Sequence, residues 1–389
     1  MSSKIISKFK KSWKTILLAL GITVLLQVAD YFITNATYPV LDNLDPLVVL
    51  DFVRKGEPKD SDILYIDVGL DKELVPVIDE LGDTIGNTPI SNRRLIADFL
   101  NLLKNINYTY IFIDLRFEKG TESNHDSILF SAMSNLDRFS FSTHRGMESL
   151  VPDSLSQHAA YSDFRGNYKD GFTRYEFFQS GKESSALRMY TTITGEKINK
   201  RGSIYLINGD LAYNMLFVPF YRNDAESLGE GGLEKYFNLG YELKNDNLRS
   251  EILKKAEGKI IVIGDFENDK HQTYMGEVPG PLITVRAYQI LKKGNIKFSW
   301  TCFAIISFIY FLILFELLVN YNLNDKICNI IKIKSNGIAY LISFISWGFL
   351  LAVVKLTLYA IFGLAFVAWL PALVFSTISF VNGFRRFKE

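Results

Sequence analysis

The chain has 389 residues, 48% of them hydrophobic, and carries 43 lysines and arginines against 42 aspartates and glutamates. A charge so evenly balanced leaves no electrostatic footprint for nucleic acid. The only two cysteines, Cys302 and Cys328, fall at opposite ends of one apolar run, too far apart along a helix to bridge, so a disulfide-stapled fold and a cysteine-based zinc site are both excluded.

The first apolar run, residues 15–34, follows Lys4, Lys8, Lys10, Lys11 and Lys14, with Trp13 placed for a membrane interface. Its length matches the ~20 residues that span a hydrocarbon core. It is long for the apolar part of a cleavable signal peptide and no small-residue cleavage pattern follows it, so it is expected to stay as an anchor behind a cytoplasmic N-terminus of residues 1–14.

Residues 35–298 are polar and mixed, long enough for one sizeable α/β domain, and carry about seven more acidic than basic residues. The run DILYIDV at 62–68 alternates too little for a half-exposed strand and reads as a buried, central one. A helix is predicted over 92–104, where Leu95, Ile96, Phe99, Leu102 and Leu103 share one face, and the strand YIFID at 110–114 follows. Strand, helix, strand in that order implies a right-handed crossover and a mainly parallel central sheet. In mid-domain, 166–171 reads as a turn and the aromatic stripe 172–178 as a strand of the core. Additional strands are expected at 203–208 and 215–219, a flexible surface loop at Gly229 to Gly232, and a polar, surface-lying helix over 233–258. A buried strand at 259–264 and a helix near 283–292 close the domain.

The next span is 299–320, followed by a loop over 321–336 with Lys326, Lys332 and Lys334. The apolar run 337–381 is about twice what one helix needs, which predicts a hairpin of two spans, 337–357 and 358–381. The turn is expected at Gly363, with Lys355 snorkelling outward and Pro371 tolerated inside the last span. Asp30 and Glu316 lie near span ends, within reach of headgroups. Lysine and arginine are retained on the cytoplasmic side. Four spans place the N-terminal lysines, the 326–334 loop and the 382–389 tail (Arg385, Arg386, Lys388) inside together, leaving 35–298 extracytoplasmic on a multi-pass protein of the plasma (inner) membrane.

Ligands on parallel sheets bind beyond the carboxyl ends of the strands. Asp67, Asp114 and Asp265 sit at such ends; Asp71, Arg116, Asp269 and His271 lie just beyond, and Asp170 and Arg174 belong to the mid-domain turn. Asp67, Asp71, Asp114, Arg116, Asp170, Arg174, Asp269 and His271 are the candidate ligand-binding residues. No dense acidic loop of the calcium type is present, and no metal or cofactor is expected. There is no Gly-x-Ser-x-Gly elbow and no His-Glu-x-x-His helix; Gly258 and Lys259 lack the upstream glycine of a phosphate loop, and His125, His144, His158 and His271 are scattered. A binding module needs no catalytic constellation, so sensing is expected rather than catalysis. An anchored extracytoplasmic hydrolase and a structural envelope scaffold are the alternatives.

Four segments resemble the CHASE2 extracellular sensory domain of bacterial receptors. They are ILYID at 63–67 with Asp71; PISNRR at 89–94 with the helix after it and IDLRF at 113–117; NYKDGFTR at 167–174; and GKIIVIG at 258–264 with Asp269, Pro279 and Gly280 leading to Ala287 and Leu291. One span before the domain and three after it complete the likeness, which runs from the first span to Pro371. Arg286 stands where the family commonly has a histidine. The resemblance implies a sensor that binds an unknown extracytoplasmic ligand. CHASE2 receptors usually continue into a kinase or cyclase, and only 382–389 follows the last span, which implies signalling through a separate output protein or a homodimer.

Reporter fusions after Glu389 and within 326–334 should both read as cytoplasmic. An extracytoplasmic carboxyl terminus would overturn the topology.

Overall fold

The computed structural model describes residues 3–35, 62–78, 82–164, 174–179, 181–220, 236–274, 276–294, 296–319, 336–362 and 369–386. The expectations for Asp170, the Gly229 to Gly232 loop, the basic loop 326–334 with Cys328, and the Gly363 turn lie outside these residues. The chain divides into two compact units, residues 39–296 and the two flanks 1–38 and 297–389. It opens in helix α1 (Ser3–Thr34).

The 39–296 unit is an α/β domain on a six-stranded parallel sheet. Its strands are β1 (Ile63–Asp67), β2 (Tyr110–Asp114), β3 (Phe139–Thr143), β4 (Ala159–Tyr161), β5 (Phe237–Asn238) and β6 (Ile260–Gly264), in the order β5-β1-β6-β2-β3-β4. ILYID, YIFID and IIVIG are apolar at nearly every position because both faces are covered. On one face Ile66, Ile111, Ile113, Ile261 and Ile263 pack against α2 (Arg93–Leu103) and α3 (Asp126–Ser134). On the other, Tyr110, Phe112 and Val262 pack against α4 (Ser185–Thr194) and α7 (Gly280–Lys292).

Helix α2 starts where expected, because Asn92 caps it by accepting from the Leu95 amide at 3.0 Å. Ile96, Phe99, Leu100 and Leu103 form its buried stripe. Two expectations are corrected. β1 is not central: β6, the last strand in sequence, inserts between β1 and β2 and leaves β1 next to the edge. The described part of the 233–258 segment is not merely surface-lying. It pairs with β1 through β5 and forms α5 (Leu239–Lys244) and α6 (Asp246–Ala256), which bury Leu239, Ile252 and Ala256. The additional mid-domain strands are present and stand outside the central sheet: Ile204–Ile207 sits in a three-stranded antiparallel sheet, and Met215–Phe217 pairs with Arg174–Glu176.

The flanking unit contains α1, α8 (Trp300–Val319), α9 (Asn336–Phe362) and α10 (Trp369–Arg386). Among the described residues three helical segments are long and apolar enough to cross a membrane, Trp13–Thr34, Trp300–Leu318 and Tyr340–Leu358, and Trp369–Val381 is a shorter apolar helix. Within this unit α1 packs on α8 and α9 on α10. Tyr310 and Trp347 both meet Phe375 edge-on, each at 5.6 Å between ring centroids. Lys355 does not snorkel: it is 3% exposed, and Asp30 is buried likewise, so both ionisable groups face helices rather than headgroups. Pro371 is the third residue of α10, in the first turn, where a missing N–H breaks no helical bond.

One buried cation ties the sheet to the loops after it. Arg93, 1% exposed at the start of α2, donates from Nη2 to the Arg116 carbonyl at 2.7 Å. Its Nε lies 3.4 Å from Asp126 Oδ1, and its guanidinium stacks 4.4 Å over the Phe117 ring. Residues 39–296 expressed alone should unfold cooperatively in denaturant, and Arg93→Ala should lower their stability by about 3–5 kcal/mol because Asp126 loses its partner. A loss inside the spread of surface substitutions would refute that role.

Candidate functional site

The pairing register decides where the acids of the sheet end up. Asp67 pairs with Gly264 and Gly264 with Asp114, so three strands finish level and release their loops on one edge. Gly264 is the residue that fits there, since a Cβ would lie 2.5 Å from Pro281 Cγ.

From that level start the two acids diverge. Asp67 is 4% exposed, and its Oδ1 accepts from the Gly69 amide at 2.9 Å and the Phe266 amide at 3.0 Å. Burial raises its pKa and those two amides oppose the rise. Asp71 accepts from the Gly240 amide at 2.7 Å at the start of α5, and Asp265 holds Lys72 at 2.5 Å and the Asn268 amide at 2.8 Å. These three carboxylates are committed to holding loops.

Asp114 instead opens on a pocket lined by Leu115, Arg116, His144, Ser162, Phe164, Asp269 and His271, with about 320 Å³ of empty space that includes its open mouth. Ser142 donates to Asp114 Oδ1 from behind. The Ser142 and Ser162 hydroxyl oxygens are 2.7 Å apart and those of Ser162 and Ser185 2.6 Å, which makes a buried hydroxyl chain running back from the carboxylate. Tyr175 lies near this interior, its hydroxyl pushed up to about 12 by burial. Burial pushes Asp114 up to about 7, helped by the charge of Asp269 and opposed by the Ser142 hydrogen bond and by His271 and Arg116.

Asp269 reaches the pocket because α7 begins at a glycine. A Cβ on Gly280 would sit 2.5 Å from Asp269 Oδ2, while the Gly280 amide donates to the Asp269 carbonyl at 2.8 Å. His271 Nε2 lies 3.2 Å from Asp269 Oδ1, and its ring meets Phe164 edge-on at 4.7 Å. His144 Nδ1 is 3.0 Å from Asp163 Oδ1 on the rim.

The structure therefore brings together Asp114, Arg116, Asp269 and His271, and sets Asp67 and Asp71 apart at neighbouring loop ties. Arg174 lies in the strand paired with Met215–Phe217 and does not line the pocket; Asp170 is outside the described residues. Sequence reading missed Ser142, Ser162, His144 and Phe164. The alternation of FSFST at 139–143 is the period of a strand, and a hydroxyl at its carboxyl end was the available signal. Arg286 donates to Gln289 Oε1 at 2.8 Å along its own helix. Among the described residues no group of three or more His, Cys, Asp or Glu side chains is arranged to hold a metal ion.

No family model, no curated protein and no solved structure matches this chain. Its described architecture is an α/β domain with a mainly parallel sheet, flanked in sequence by apolar helices long enough to span a bilayer.

The raised Asp114 has a signed consequence. The folded domain keeps this proton up to about pH 7, whereas an unfolded aspartate releases it near ~4. The stabilisation it gives is present below ~4 and is lost as pH rises towards 7. In denaturant titrations Asp114→Asn should therefore gain stability relative to the parent between pH 5 and pH 8. A difference that stays constant across that range would refute the shift.

Proposed function

We propose that this chain is a membrane-anchored sensor of the CHASE2 type, with residues 39–296 on the extracytoplasmic side. The Asp114 pocket binds a small polar ligand, and the chain passes the change through its helices to an output partner. The observation that carries this reading is the contrast between the sheet-end acids. Asp67 is occupied by two backbone amides, whereas Asp114 faces a pocket with Asp269, His271 and Arg116 around it. An open polar pocket at the carboxyl edge of a parallel sheet is where such folds take ligands.

The hydrogen bonding favours binding over hydrolysis. His271 is paired with Asp269 and His144 with Asp163, while Ser142 bonds Asp114 from behind and Ser162 bonds Ser142 and Ser185, an arrangement that pairs no serine with a histidine. The orientation across the membrane rests on the basic residues at the span ends.

A metabolite extract added to the full chain in detergent should raise its thermal midpoint. Asp114→Asn and Asp269→Asn should remove that shift, each variant being compared with itself in the absence of extract. A shift unchanged in both variants would send binding elsewhere on the molecule.

A further inference from the structure

Taking the pocket as the sensor's ligand site, we propose that it recognises a small molecule carrying both a protonated amine and a carboxylate. The amine lies against Asp114 and Asp269, and the carboxylate on Arg116.

Asp114 and Asp269 line one pocket, so an anion without a cationic group would meet two carboxylates. Asp269 has His271 beside it at 3.2 Å, whereas among the described residues Asp114 receives only the Ser142 hydroxyl from behind, so a cationic group of the ligand is drawn to the Asp114 side of the wall.

Arg116 argues for the second charge. Arg93, Arg94, Arg145, Arg188 and Arg249 each lie within 3.4 Å of a carboxylate oxygen. The exposed Arg116 guanidinium, by contrast, makes no hydrogen bond or ion pair among the described residues; only its carbonyl is used, by Arg93. A planar five-donor fork beside a pocket that already holds two acids suits the acidic end of a zwitterion. Phe164 and Leu115 offer an apolar wall for the carbon atoms between the two ends.

Binding of this kind is linked to protons. The groups facing Asp114 are Asp269 and His271 before and within one hairpin, Arg116 on its own loop, His144 after β3, and Tyr175 behind. An ammonium needs Asp114 ionised, so binding weakens as pH falls. With Asp114 titrating near 7, the competent fraction and hence the apparent affinity rise about tenfold from pH 6 to pH 8.

Calorimetry on the full chain in lipid nanodiscs tests the assignment with glycine, L-alanine, β-alanine and γ-aminobutyrate, and with ethylamine, propionate and phosphate as single-charge probes. At least one amino carboxylate should bind tenfold or more tighter than ethylamine and propionate. Asp114→Asn should abolish that binding, Arg116→Gln should reduce it to the level of ethylamine, and the parent's affinity should rise from pH 6 to pH 8. Propionate or phosphate binding that survives Asp114→Asn would overturn the proposal. So would an Asp114-dependent thermal shift with metabolite extract when every amino carboxylate is silent: the pocket would stand and its ligand would belong to another class. Silence of both the panel and the extract would overturn the zwitterion and the pocket reading together.

Discussion

The parallel register across β1, β6 and β2 is the constraint on which the rest of the domain depends. Three short strands, buried on both faces, are locked residue against residue from Ile63 to Asp67, Ile260 to Gly264 and Tyr110 to Asp114. A slip of one residue would turn every side chain to the opposite face and exchange the two cores. Because the strands end level, the loops that leave them share one edge, and their acids meet the same boundary between core and solvent. The pocket follows from that alignment.

What separates the acids at that edge is how many backbone donors reach them. Asp67 sits where the β1 and β6 loops turn tightly, so amides from Gly69 and Phe266 converge on it. On the other side of Gly264, Asp114 receives a hydroxyl from Ser142 and no such pair of amides, and β3 and β4 extend the sheet beyond it with serines at their ends. Two identical side chains at paired positions therefore do different work: one closes loops, the other meets the pocket. Arg93 supports the second arrangement from below, since its bond to the Arg116 carbonyl fixes the backbone from which the Arg116 side chain extends.

In the flanking unit a set of polar residues lies inside, while Glu316, Thr357 and Thr377 are exposed. Thr23, Gln27, Asp30 and Thr34 recur at helical spacing on α1 and are all buried, as are Lys355 on α9 and Ser376 and Ser379 on α10. Sequence position near a span end suggested that Asp30 and Lys355 would reach outward. Helix packing places them inward instead, where an ionisable group in an apolar span has protein rather than lipid for neighbours. The choice between those directions depends on which face of each helix is covered, and a single helix read alone carries no record of its neighbours.

The amino-acid sequence by itself determined the class of this protein: long apolar runs with basic flanks, an intervening stretch rich enough in apolar strands for an α/β core, and the strand and helix at 62–68 and 92–104. These follow from local composition and period, which act within one element. It also put Asp114, Arg116, Asp269 and His271 on the candidate roll, because strand ends are visible in a pattern. Tertiary structure alone decided that β6 separates β1 from β2, that Asp67 and Asp71 are consumed in tying loops, and that Ser142, Ser162, His144 and Phe164 complete the pocket. Those facts depend on pairing and contact between separate segments, from Ser142 on Asp114, 28 residues apart, to the Phe266 amide on Asp67, 199 apart, and no local period encodes them.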